Sequence, residues 1–163
     1  MVAHYFGSKL ELWQAIVDTV AARIEADRER LAALLYAPDV DVGQRLRGGV
    51  EHLFDEIAAH QQFARLILRE LTDDSERAFY VEERLLRPSL ELYAPLWSEA
   101  MQVGAVGRID PVIGHIAMTG SIALLISSLT TVSRLSDTDY DLPRLREAFC
   151  ECVLTHVGVA SAY

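Results

Sequence analysis

The chain has 163 residues, of which 51% are hydrophobic and 24% charged, and its formal net charge at pH 7 is −9. This length is typical of a single domain, and the hydrophobic content is sufficient for a sizeable core. The negative charge argues against nucleic-acid binding by this chain alone, because cationic side chains that neutralise phosphates supply most of the non-specific affinity.

A capping signature near the N-terminus predicts the start of the first helix. Ser8 is followed three residues later by Glu11, and a periodic apolar run comes next. Lys9 falls in the first turn, where the helix dipole disfavours a cation unless an external anion compensates for it. Lys9 is therefore either solvated or placed against a phosphate oxygen, and Tyr5 could donate a hydrogen bond to the same phosphate strand.

The segment Tyr5-Phe6-Gly7-Ser8-Lys9 resembles a segment of the TetR family of bacterial repressors. In that family the segment lies where the DNA-binding helix-turn-helix (the reader) ends and the helix that links it to the ligand-binding domain (the sensor) begins. The specific resemblance covers about the first dozen residues, and Ala3 stands where the family usually has a tyrosine. The resemblance implies a TetR-like, all-α fold of about six to seven helices. Residues 1–8 would be the remnant of the DNA-recognition helix, and residues 9–163 an effector-binding and dimerisation domain.

The same resemblance implies that Tyr5 and Lys9 contact the DNA backbone in a longer form of the protein. Operator DNA is then a partner only when the remaining helices of the reader are present. Major-groove reading requires a recognition helix docked on a supporting helix. The 163-residue chain itself is therefore expected not to bind DNA sequence-specifically.

Helical periodicity, caps and breakers predict helices and no strands. The predicted segments, in chain order, are 9–36, a helix capped by Asp41, 62–72, 76–103, 111–134 and 141–157. Gly48 and Gly49 weaken the second helix. In the fourth segment we expect a break at Pro88 and a kink near Pro95, because proline cannot donate to the preceding turn.

The stretch 111–133 contains no aspartate, glutamate, lysine or arginine. Such a run is either a membrane span or a helix covered by protein on all sides. Its glycine, serine and threonine residues dilute the apolar content, and no lysine cluster flanks it, so we expect no membrane insertion. One face would then meet the protomer's own core and another face a second subunit.

A homodimer is the predicted assembly. Small residues of the charge-free helix would allow a partner helix to approach closely, and the last helix adds a second apolar stripe. The alternative is that both faces belong to the ordinary core of a monomer. The TetR resemblance implies that these two helices pair into a four-helix bundle. The expected interface residues are Gly114, Ala117, Ser121, Leu124, Phe149, Cys152 and His156.

The sequence contains no motif for catalysis. There is no Gly-x-Ser-x-Gly elbow, no phosphate-binding Gly-Lys-Ser/Thr loop and no His-Glu-x-x-His pair. The histidines are scattered, and no two of them share metal-ligand spacing. Cys150 and Cys152 are interpreted as small hydrophobic residues of a reduced, cytoplasmic protein, since no secretion signal opens the chain. We therefore expect no enzyme, cofactor or metal.

A ligand pocket is predicted among the middle helices. Glu70 lies on the apolar stripe of the third helix, where a carboxylate is costly unless paired. It is either an ion-pair partner of Arg65, Arg69 or Arg87, or a polar anchor for a ligand. The TetR resemblance implies a small apolar effector that relieves repression. The expected lining is Phe54, Phe63, Glu70, Tyr93, Trp97 and His115.

A second function is open at this point. The chain could be a DNA-free helical dimer that sequesters an apolar small molecule or pairs with a full-length relative. The two functions differ in whether a longer form of the protein reads DNA.

Overall fold

The computed structural model describes residues 8–70 and 72–155, and this part of the chain folds into α-helices joined by turns. The helices are α1 (Lys9–Leu35), α2 (Val42–Ala59), α3 (Gln61–Glu70), α4 (Glu76–Val81), a π-helical turn (Glu82–Leu86), α5 (Arg87–Gln102), α6 (Pro111–Ser127), α7 (Leu129–Ser136) and α8 (Leu142–Thr155). Because α4, the π turn and α5 follow one another without a gap, the described residues form seven helical units. The predicted all-α architecture is confirmed.

The helix starts lie where polar caps predict them. The Ser8 hydroxyl accepts a hydrogen bond from the Glu11 amide at 3.1 Å. The Asp41 carboxylate accepts one from the Gly43 amide at 2.8 Å, and the Asp110 carboxylate accepts one from a first-turn amide of α6. Each bond satisfies an amide that has no partner inside its own helix. The predicted end of the last helix, at residue 157, lies outside the described residues.

The expected break at Pro88 is not a break. The Arg87 amide donates to the Glu82 carbonyl, five residues earlier, so the chain passes from a π turn directly into α5. Pro88 then falls in the first turn of α5. The wider hydrogen-bond spacing of the π turn lets the helical chain continue past a residue that has no amide hydrogen.

The expectation of one helix over 111–134 is wrong. α6 ends at Ser127, and α7 leaves it at an angle of 79°. Ser128 has φ −113° and ψ 22°, and its hydroxyl donates to the Leu124 carbonyl at 2.6 Å. A serine side chain that competes for this carbonyl favours a helix end. None of the described helices alone has the length and hydropathy to cross a bilayer, and α6 and α7 reach them only as this bent pair.

Two apolar clusters form the core. The larger one joins the last turn of α1 to α2, α5, α6 and α8, with Phe54, Leu96 and Ile122 fully buried. The smaller one joins the first half of α1 to the π turn through Trp13 and Leu85. α6 packs against α2, α3 and α5 and is the central helix. α1 thus belongs to both clusters.

Polar contacts hold the first half of α1 against α4 and the π turn. The Asp18 carboxylate accepts hydrogen bonds from the Tyr80 hydroxyl at 2.9 Å and from Arg84 Nε at 2.8 Å. The same two helical units also meet at the Trp13 ring, which lies 5.9 Å from the Tyr80 ring. α1 is therefore fixed at two separate places along its length.

Gly49 allows α2 and α5 to pack closely. A Cβ atom at this position would lie 2.7 Å from Leu35 Cδ2 and 3.1 Å from Tyr93 Cε1. Leu35 is fully buried, and the Tyr93 hydroxyl is held by the hydrogen bond that it donates to the Gly49 carbonyl at 2.9 Å. Neither side chain has room to move.

We therefore expect Gly49→Ala to lower the free energy of unfolding by about 1–3 kcal/mol, as overpacked cores do. Gly48→Ala is the matched control on the same helix. Its Cβ would meet only the end of the exposed Leu34 side chain, at 3.2 Å, and alanine is the better helix former by about 1 kcal/mol. Urea unfolding of both variants tests this, and equal stabilities would contradict the close approach at Gly49.

Candidate ligand-binding site

A cavity of about 80 Å³ lies between the two core clusters. α1, α2, α3, the π turn, α5 and α6 all contribute to its wall, which is mostly apolar. Its lining residues are Val20, Ile24, Leu53, Glu56, Ile57, His60, Ala64, Ile67, Leu85, Leu86, Ser89, His115 and Thr119. A volume of this size accommodates on the order of six water-sized groups.

Three polar atoms of the cavity wall are buried without a hydrogen-bond partner among the described residues. They are Nε2 of His60, Nδ1 of His115 and Oγ1 of Thr119. Buried polar groups are normally paired, because an unpaired one loses its hydration without compensation. These atoms are therefore available to donate to or accept from a molecule in the cavity.

His115 is the most deeply buried of these polar residues. Its ring Nε2 lies 3.0 Å from the Ser89 hydroxyl, and its ring centroid lies 5.3 Å from that of Tyr93. Burial lowers the pKa of His115 to about 4, because the imidazolium form would lose its hydration. At neutral pH the ring is uncharged and offers one donor and one acceptor.

A surface groove of about 410 Å³ adjoins the cavity. His115 and Leu86 line both spaces, so they form the partition between them. The groove runs between the α3–α4 turn, the π turn, α5 and α6. Phe79 and Ile116 give it an exposed apolar wall. Its charged residues are Asp73, Asp74, Glu82 and Arg87.

Of the five predicted lining residues whose side chains the structure describes, His115 alone borders the cavity. Phe54, Tyr93 and Trp97 instead fill the larger core cluster, so their assignment to the lining is corrected. Phe54 packs against the Phe149 ring at 6.4 Å. Large aromatic rings on the inner faces of α2 and α5 occupy the space that a ligand would need. The side chain of Phe63 lies outside the described residues.

Glu70 also lies away from the cavity. Its side chain is 5% exposed, and Oε1 lies 4.0 Å from both Arg69 Nε and Arg77 Nη1. Arg77 also stacks over the Trp13 ring, 5.5 Å from its centroid. The ion-pair interpretation therefore holds with Arg69, while Arg87 pairs with acidic residues of the π turn.

The polar residues of α2 at the cavity wall were not predicted from the sequence. His52, Glu56 and the C-cap residue His60 recur every four residues, on the same side as the half-buried Leu53 and Ile57. This spacing places polar groups on one side of an α-helix. Their repetition beside apolar neighbours is the signal that could have indicated a polar site.

One face of α6 is exposed and largely apolar. Ile113 and Leu124 are 61% and 58% exposed, and Ala117 and Ser121 lie between them, also exposed. These positions follow helical spacing on one side of α6. Three of the expected interface residues, Ala117, Ser121 and Leu124, therefore lie on one accessible surface together with Ile113.

The other expected contact residues lie elsewhere. Gly114 and Phe149 are buried within the protomer, and a Cβ at Gly114 would meet Ile109 at 3.6 Å. These two residues belong to the protomer's own core, so their assignment to a dimer interface is corrected. Cys152 is exposed on α8, whereas His156 and Tyr5 lie outside the described residues. Lys9 is exposed in the first turn of α1.

Comparison with known proteins adds no family assignment. No protein-family model matches the chain, and no curated protein is similar enough to count as a relative.

Proposed function

We propose that this chain is the ligand-sensing, dimerising part of a TetR-like transcriptional repressor whose DNA binding is relieved by a small, predominantly apolar effector. The observation that carries the proposal is the cavity between the two core clusters. Its apolar wall and three unpaired polar atoms have the composition of a small-molecule site. The helix that borders this cavity, α1, also begins at the Ser8-Lys9 segment that resembles the reader–sensor junction.

The walls define the chemistry of the effector. Glu56 borders the cavity, and the three acidic side chains of the groove outnumber its one arginine. An anionic ligand would be repelled on this path, so the effector is neutral or cationic. It carries one or two hydrogen-bonding groups that reach His60, His115 or Thr119.

The size of the two spaces bears on the size of the effector. The inner cavity of about 80 Å³ is smaller than the roughly 300–1,000 Å³ of most ligand sites. The adjoining groove adds about 410 Å³. A drug-sized effector therefore extends from the groove past His115 and Leu86 into the cavity, and displaces this partition.

α1 would transmit the binding event. Val20 and Ile24 of α1 line the cavity, and the first half of the same helix packs on α4 and the π turn. An effector that fits one position of α1 better than another shifts the population toward that position. The resulting change in DNA affinity cannot exceed the effector's differential affinity for the two states.

Ligand binding is tested by thermal unfolding of the chain in the presence of neutral and cationic apolar compounds. A compound that binds the folded state raises the midpoint by mass action. Ala64 is buried at the cavity wall, and Ala64→Leu should fill the space and abolish this stabilisation. Ala59→Leu adds the same atoms at an exposed position of α2 and should leave it intact. Undiminished stabilisation of Ala64→Leu would place the ligand elsewhere.

The repressor part of the proposal is tested with a protein extended at its N-terminus by the residues encoded upstream. We expect salt-sensitive operator binding by this longer protein and none by the 163-residue chain. Lys9→Ala and Tyr5→Phe should weaken binding about equally on all sequences, since phosphate contacts carry no sequence information. A gel-shift assay measures this. An extended protein that binds ligand but no DNA would favour the DNA-free dimer.

A further inference from the structure

A second group of polar side chains lies on the outer side of the cavity wall. His52 and Glu56 are four residues apart on α2, and Asp27 faces them from α1. One ligand atom from each of the three residues lies within 4.8 Å of the others. We infer that Asp27, His52 and Glu56 form a binding site for a divalent transition-metal ion of the Zn²⁺ type.

The distances suit a small ion. Zn²⁺ binds nitrogen and oxygen ligands at about 2.1 Å, so two ligands of a tetrahedral site are about 3.4 Å apart. His52 Nε2 and Asp27 Oδ2 are already 3.8 Å apart. Side-chain rotation can bring the three ligand atoms to this separation, because all three residues are only half-buried.

The charges also favour a cation. The carboxylates of Asp27 and Glu56 lie close together, and like charges at this distance repel each other. In the part of the chain that the structure describes, Glu56 has no ion-pair partner within 4.0 Å. Asp27 meets Arg30 only at 3.8 Å, and the Arg30 side chain is 87% exposed. Such an exposed pair stabilises little, whereas a bound dication would neutralise both carboxylates.

The donor set indicates the class of metal. One imidazole and two carboxylates suit Zn²⁺ and its first-row neighbours, whereas Mg²⁺ prefers an all-oxygen shell. Three protein ligands leave a coordination position for water. A surface groove of about 320 Å³, lined by Asp27, Glu56, Arg23, Ala26 and Arg30, gives the ion access. The spacing of the histidines does not indicate this site, because two of its three ligands are carboxylates.

A metal at this position would join α1 to α2 across the middle of the bundle. Glu56 borders both the metal site and the inner cavity. The metal site is nevertheless separate from the cavity, since neither Asp27 nor His52 lines the cavity. The inference therefore does not depend on the proposed repressor function.

Calorimetric titration with ZnCl₂ of the full chain, free of any polyhistidine tag, tests the site. We expect one Zn²⁺ per chain, and at least about tenfold weaker binding in His52→Ala and Asp27→Asn. Glu29→Gln is the matched control. It removes the same charge from an exposed position of α1, two residues after Asp27, and should bind Zn²⁺ like the parent chain.

Co²⁺ absorption identifies the ligands independently. Bands of a nitrogen- and oxygen-ligated Co²⁺ that disappear in both His52→Ala and Asp27→Asn support the site. Either variant alone suffices if the other fails to fold, as judged by circular dichroism. Zn²⁺ affinity that is unchanged in the folded variants, the absence of Zn²⁺ binding to the parent chain, or a thiolate-to-cobalt band that shows cysteine coordination would each overturn the inference.

Discussion

Leu124→Glu should convert the proposed dimer into a folded monomer. Leu124 is 58% exposed in the protomer, on the same face of α6 as Ile113 and Ala117, so a carboxylate there meets water in the isolated chain. In a dimer built on this face the same carboxylate is buried without a partner, at a cost of about 3–5 kcal/mol per subunit. The two copies in the dimer would weaken it by about 10⁴- to 10⁷-fold.

Light scattering measures this change as a fall from twice the chain mass of 18.2 kDa to the single mass, and circular dichroism should show unchanged helix content. Val103→Glu is the control, since Val103 is 61% exposed at the end of α5 and is not part of α6. A parent chain that is already monomeric at micromolar concentration would contradict the proposed dimer. Dissociation of the dimer by both variants alike would contradict the placement of the interface on α6.

His115→Gln should make the protein less sensitive to acid. The pKa of His115 is lowered from 6.5 to about 4 by burial, so between these pH values the unfolded chain binds a proton that the folded chain does not. The free energy of unfolding therefore decreases as the pH falls from 6.5 to 4, by about 3 kcal/mol from this residue. Glutamine keeps a polar side chain at the partition but does not titrate.

Urea unfolding at a series of pH values between 7 and 4 tests this expectation. The acid-induced loss of stability in the variant should be smaller by up to about 3 kcal/mol than in the parent chain. Parallel pH profiles would show that the His115 ring is not desolvated in the folded protein.

The helices were predictable because their signals are local. Ser8, Asp41 and Asp110 cap helices in the sequence and in the structure. The failures lie where the outcome depends on competition between weak local effects. At Ser128, a side-chain hydrogen bond to the Leu124 carbonyl ends a helix whose apolar composition gave no reason to stop. At Pro88, a π turn accommodates the proline without a break.

The lining of the cavity was less predictable than the fold. A cavity forms where the side chains of packed helices leave space, and this is not visible in the pattern of a single helix. Aromatic residues were expected to line the pocket, yet Phe54 and Trp97 are large enough to fill the core completely. The wall is made instead by smaller residues such as Ala64, Ser89 and Thr119. Which of them face one another depends on how six helical segments pack, and helical periodicity within one segment carries no information about this.

α1 is held near its last turn by the larger core cluster and along its first half by α4 and the π turn, so it would act as a lever when the second attachment moves with it. Its 27 residues span about 40 Å, so a tilt of about 5° about its C-terminal end would move its first turn by about 3.5 Å. In a two-fold dimer the opposite displacements would add to about 7 Å, or about two base pairs along DNA. A change of this size would be enough to take two reading heads out of register with half-sites spaced about 34 Å apart. The effector would therefore need to displace the cavity wall only slightly, because the length of the helix multiplies the movement.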